Sequence, residues 1–138
     1  MDAKLTDAVT TRAVVQARTS STRLPDKVLA DVGLVDAGKT AVIESARASG
    51  LALVPPDKRN IRRAHSSGVG KPMLWAAGCG VKRVIVGIGG TAMNDGGIGA
   101  VQAAGGLVLD DVGSQVESGL VGLSRVARVE FGRIAERF

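Results

Sequence analysis

The sequence has no tyrosine, one tryptophan and two phenylalanines. A core built from it must be packed with Val, Leu, Ile and Ala. A single cysteine, Cys79, excludes an internal disulfide and fits a reducing compartment, with the cytoplasm as the expected location. Cys79 stands between two glycines at an expected helix end, where it reads as a small buried residue. The only histidine, His65, falls in a polar stretch without neighbouring metal ligands and is expected to be solvated. No run approaches the ~18 apolar residues of a membrane span, so no membrane partner is expected. The opening residues carry Asp2 and Asp7 and no apolar stretch, which argues against a secretory leader, and Asp26 and Asp31 argue against a transit peptide.

What the sequence does have is glycine, 19 in 138 residues, about twice the ordinary share. It also carries a net charge of +5. The tightest basic cluster is Lys58, Arg59, Arg62 and Arg63. No aromatic stands beside it to stack a base, so nucleic acid is not the expected partner. A solvated basic face or an anionic small ligand fits better.

Patterning suggests alternating strands and helices. Residues 1–12 read as a polar, frayed start, 12–17 as a short strand, and 18–26 as a polar loop. Residues 28–35 read as an extended stretch broken at Gly33. Thr40–Ser49 reads as a helix capped by Thr40, with Gly50 as its terminating glycine. Leu51–Val54 looks extended, and a helix is expected to begin near Pro72. Arg83–Ile88 is the clearest buried strand, followed by a helix over 98–104 and a strand over 107–109. Such alternation predicts an α/β, Rossmann-like three-layer domain with a mostly parallel sheet. The division expected is an N-terminal strand and loop over 1–27 and an α/β domain over 28–138.

The sequence GIGGTAMNDGG, residues 87–97, follows that strand and enters a helix. In open parallel sheets, ligands bind beyond the carboxyl ends of the strands. Gly89, Gly90, Gly96 and Gly97 permit sharp turns and close backbone approach. Asn94 and Asp95 can cap the next helix, coordinate a cation or accept a proton. The loop lacks the GK[ST] ending of a Walker A motif and is not GxGxxG, and Gly38–Thr40 is a chance GKT.

Residues 36–55 (DAGKTAVIESARASGLALVP), Arg59–Asn60, and residues 83–97 (RVIVGIGGTAMNDGG) resemble the bacterial glycerate kinase family, with its KTAVIEMAxASGL, RNPL and IIIGIGGSATNDGG blocks in the same order. The resemblance covers about Val28–Glu130, the middle portion of a longer, two-lobed kinase. It implies ATP-dependent phosphoryl transfer to a hydroxyl of glycerate, with Mg²⁺. Asp95 and Asn94 would be catalytic, and Asp95 would also hold the metal. Gly89, Gly90, Thr91, Gly96, Gly97 and Arg59 would bind phosphate or carboxylate. A second copy or a complementing lobe is the macromolecular partner implied. The departures from the family pattern include Thr91 for Ser, Met93 for Thr, Ser67 for Tyr and Lys71 for Glu. A shorter stretch, Ala13–Gly33, resembles the opening of polysaccharide-type cytidylyltransferases. That resemblance implies a CTP-binding module with Arg18, Ser21, Arg23 and Lys27 on phosphates, echoed by Gly70–Trp75.

Overall fold

A computed structural model describes residues 11–17 and 28–134. Four strands form one sheet in the order β1–β2–β3–β4: Thr11–Ala17, Val28–Val35, Thr40–Glu44 and Arg83–Gly87. β1 pairs antiparallel with β2, and β2 antiparallel with β3; only β3 and β4 run parallel. The sheet is therefore mixed, not mostly parallel as the alternation predicts. The reason lies in the connections. Residues 36–39 join β2 to β3 in one tight turn, closed by the Lys39 N–H on the Asp36 carbonyl at 3.1 Å. So short a link allows only an antiparallel return, whereas a parallel pair needs a long crossover. Residues 45–82 supply that crossover between β3 and β4. β1 comes from the segment 1–27 and enters the same sheet as the strands beyond it.

Thr40–Ser49 is not one helix. Thr40–Glu44 is β3, and only Ser45–Ser49 is helical (α1). Ala41 and Ile43 are buried while Val42 and Glu44 are exposed, a two-residue period that suits the β-branched pair Val42–Ile43. Thr40 does not cap a helix; its hydroxyl donates to the Asp36 carboxylate at 2.6 Å. Gly50 is extended (φ −75°), not left-handed, and Leu51–Leu53 is a 3₁₀ turn instead of a strand. β2 continues unbroken through Gly33. Helix α2, Ser67–Gly78, begins well before Pro72, which lies inside it.

One face of the sheet packs on α2. Val32, Ala41, Ile43, Ala76 and Val81 form its buried centre, with Trp75, Met73, Val84 and Val86 against it. The other face leaves Val42, Glu44 and Ile85 exposed. Helix α3 (Ile98–Ala103) crosses α2, and beyond it β5 (Leu107–Leu109) pairs antiparallel with β6 (Arg128–Glu130). A short helix, α4 (Leu120–Leu123), completes this part, around Ile98, Val108 and Val116. No helix among the described residues is long and apolar enough to cross a membrane.

Asp110 is buried at the end of β5. It accepts hydrogen bonds from the Ser114 N–H at 2.8 Å and the Arg125 guanidinium at 2.7 Å. Removing one partner of a buried charged pair leaves the other uncompensated, and the half-exposed guanidinium limits the loss because water can replace it. Arg125→Ala is therefore expected to lower stability by about 1–2 kcal/mol in urea denaturation.

Candidate active site

The parallel strands β3 and β4 end side by side, at Glu44 and Gly87. From those two ends leave α1 and the glycine loop. The loop is held against the α1 side by three contacts. The Ser45 hydroxyl donates to the Gly87 carbonyl at 2.7 Å, the Leu51 N–H to the Gly90 carbonyl at 2.9 Å, and the Ala92 N–H to the Ser49 carbonyl at 2.9 Å. Gly87, Ile88, Gly89 and Gly90 are exposed, with Ile88 84% accessible. The N–H groups of Gly89, Gly90 and Thr91 donate to no described residue. Successive backbone N–H groups left without a protein partner are suited to an anion.

Arg59 lies on the same side. Its Nε donates to the Val54 carbonyl at 3.2 Å and its Nη2 to the Leu51 carbonyl at 3.5 Å, and Leu51 is the residue bonded to Gly90. The guanidinium is exposed and keeps donors for a carboxylate.

Asn94 and Asp95, adjacent in sequence, face opposite environments. Asn94 is exposed; Asp95 is 1% exposed. The Asp95 carboxylate accepts four hydrogen bonds. Oδ2 takes the Ser66 N–H (2.9 Å), the Ser66 hydroxyl (3.0 Å) and the Gly99 N–H (3.1 Å); Oδ1 takes the Gly97 N–H (3.2 Å). The Ser66 hydroxyl in turn accepts the Ala100 N–H at 2.8 Å. One carboxylate and one hydroxyl thus satisfy the starts of both α2 and α3, where unpaired N–H groups and the helix dipole favour negative charge. Gly96 (φ +60°) and Gly97 (φ +86°) make this possible: their left-handed backbone turns the chain back so that the loop's own N–H groups meet Asp95.

This geometry does not fit a magnesium ion on Asp95. The groups around its oxygens are all donors, whereas a hard cation needs oxygen ligands. Among the described residues, no group of three or more His, Cys, Asp or Glu side chains could hold a metal.

Several other sequence expectations meet the structure here. Met93 packs beside Ala48 and Val69 with Met73 and Val86, so the methionine in place of the family's threonine fills core space. Thr91 forms an isolated bridge with Gly50, which sets the loop's edge. His65 is not merely solvated: its Nδ1 pairs with the Ser67 hydroxyl at 2.8 Å. Cys79 is exposed, not buried. Arg18, Ser21, Arg23 and Lys27 lie outside the described residues, and Gly70–Trp75, read as the echo of a nucleotide loop, is part of α2. Sequence reasoning missed Ser66 and Ser45. The first stands next to Ser67, but nothing local points to a partner at Asp95.

A model of the glycerate kinase family matches residues 3–138, a range that takes in the stretch resembling cytidylyltransferases. Glycerate kinase of Bacillus subtilis (strain 168) is 43% identical over 133 residues, covering 96% of this chain and 34% of that protein. Glycerate 2-kinase of Escherichia coli (strain K12) is 47% identical over 96 residues, 70% of this chain and 25% of that one. The crystal structure of a protein assigned as glycerate kinase 2 from Salmonella typhimurium LT2 superposes with a TM-score of 0.76 at 37% identity, over 88% of this chain and 32% of that one. The chain spans about a third or less of the length of the curated relatives it matches.

Proposed function

Because the chain belongs to the glycerate kinase family, we propose that it serves ATP-dependent phosphoryl transfer to a hydroxyl of glycerate. The observation that carries this reading is the glycine loop, with the Gly87 and Gly90 carbonyls tied to Ser45 and Leu51 and the N–H groups of Gly89, Gly90 and Thr91 without a partner among the described residues. Phosphoryl transfer asks for positioning and charge neutralisation more than for covalent help, and such donors supply both. ATP supplies the phosphoryl group, and its Mg²⁺ travels on the phosphates in preference to Asp95. Gly89, Gly90 and Thr91 hold anionic oxygens of nucleotide or glycerate. Arg59 orients the glycerate carboxylate. Asn94 stands exposed at the rim, in reach of ligand polar groups. Asp95, with Gly96 and Gly97, holds the frame on which the loop stands.

The test is glycerate-dependent ADP release from Mg·ATP by the purified chain, beside Gly89→Val and Arg59→Ala. A Cβ on Gly89 meets nothing within 4 Å, so the fold tolerates valine there while ligand approach is blocked. Gly89→Val is expected to raise KM at least about tenfold with an unchanged thermal midpoint. Arg59→Ala is expected to raise KM for glycerate alone. Unaltered kinetics in Gly89→Val would sink the loop assignment.

A second reading rests on the exposed sheet face and on the share of the relatives' length that the chain spans. Val42 (38% accessible) and Ile85 (49%) stand where a further layer would pack. In this reading the chain binds ligand but turns over only with a complementing lobe, which would complete a three-layer, Rossmann-like arrangement within a two-lobed kinase. Ligand binding without turnover, restored by adding the remaining segments of a relative, is its signature.

A further inference from the structure

We infer that Ser45 is the positioning residue that aims the anion-binding loop. The inference rests on the reading of that loop given above and adds the group that sets its orientation. Ser45 is fully buried at the point where β3 becomes α1. The parallel ladder between β3 and β4 ends at the pair Glu44 and Gly87, just before Ser45 and Ile88. The Ser45 hydroxyl donates to the Gly87 carbonyl at 2.7 Å, extending the ladder by one bond made with a side chain. Without it, that carbonyl loses a buried donor at the root of the loop.

A peptide plane has two ends. Fixing the Gly87 carbonyl fixes the Ile88 N–H on the opposite side of the same plane. The Gly90 carbonyl is fixed in the same sense by the Leu51 N–H, which turns the Thr91 N–H the other way. Between these two anchored planes lie Gly89 and Gly90, with little backbone restraint of their own. Ser45 thus restricts the loop at its root, and Leu51 at its tip. Preorganised donors bind an anion more tightly than donors that must first be ordered.

The test uses the whole chain and four proteins: unmodified, Ser45→Ala, Ser45→Thr and Arg125→Ala. ATP and glycerate are titrated separately by calorimetry, and amide exchange at Leu51 and Ala92 is followed by NMR without ligand. Ser45→Ala is expected to weaken binding of at least one ligand by about tenfold, and to speed exchange at Leu51 and Ala92. Ser45→Thr, which keeps the hydroxyl, is expected to restore most of the affinity. Arg125→Ala lowers stability far from the loop and is expected to leave affinity unchanged. Equal loss in Ser45→Ala and Arg125→Ala would reduce Ser45 to a general packing role and overturn the proposal. So would wild-type affinity and exchange in Ser45→Ala. If the unmodified chain binds neither ligand while exchange at Leu51 and Ala92 still depends on Ser45, the anion-loop reading fails and the anchor is purely structural.

Discussion

Asp95→Asn is expected to lower the stability of the fold by about 2–3 kcal/mol, and Asp95→Ala by about 4 kcal/mol or more. In asparagine, the carbonyl oxygen can keep the three donors now on Oδ2. The amide nitrogen then faces the Gly97 N–H, donor against donor. The negative charge between the starts of α2 and α3 is lost as well. Alanine strands all four donors, in a site with almost no access to water. Urea denaturation of both variants, with unchanged m-values, checks the expectation. The result also decides how Asp95 kinetics are read. Lost turnover in a partly unfolded variant says nothing about chemistry. Turnover retained by folded Asp95→Asn, well below its melting temperature, would establish the residue as a clasp. Turnover lost under the same conditions would return it to the catalytic group.

Gly70→Ala and Gly78→Ala place the same methyl group on the same helix and are expected to act in opposite directions. A Cβ on Gly70 would overlap the Ala100 carbonyl oxygen and lie 2.8 Å from the Ala103 Cβ. Backbone cannot step aside as a flexible side chain can, so α2 and α3 must separate. Overpacking of this kind costs about 1–3 kcal/mol or more, which outweighs the ~1 kcal/mol that alanine gains in helix propensity. Separation also stretches the bonds of Ser66 and Asp95, which span the same two helices. A net loss of about 3 kcal/mol is therefore expected. At Gly78 a Cβ meets nothing within 4 Å, so only the propensity term acts. Gly78→Ala is expected to gain up to about 1 kcal/mol. Thermal unfolding of the pair separates the two terms; a destabilised Gly78→Ala would show that the close helix crossing is not the cause.

The loop and its strand were legible because their signals are local. Val84–Ile85–Val86 is an apolar run bounded by charge and glycine, and the block that follows is long and unusual. β3 was misread for an equally local reason. It is short and passes into α1 without a turn residue, so Ile43 and Ala46 fall on one face of an imagined helix and hide the alternation of Ala41 and Ile43. The antiparallel half of the sheet followed from the shortness of the link at 36–39, which strand and helix counting does not weigh. Asp95 shows a different limit. The spacing allowed a cap, a metal ligand or a base, and the choice among these depends on Ser66, 29 residues away in the chain. The need for glycine at Gly70 likewise comes from a distant segment, the Ala100 carbonyl of α3.

The single parallel pairing also orders events in time. β1, β2 and β3 can zip as neighbouring hairpins, each closing a short stretch of chain. β3 and β4 can meet only after residues 45–82 have been drawn into a loop, and loop closure of that kind is the slow step in sheets with non-local contacts. The anchors of the glycine loop at Gly87 and Gly90 depend on that meeting. The loop proposed to hold an anion therefore takes its shape only once that crossover has closed.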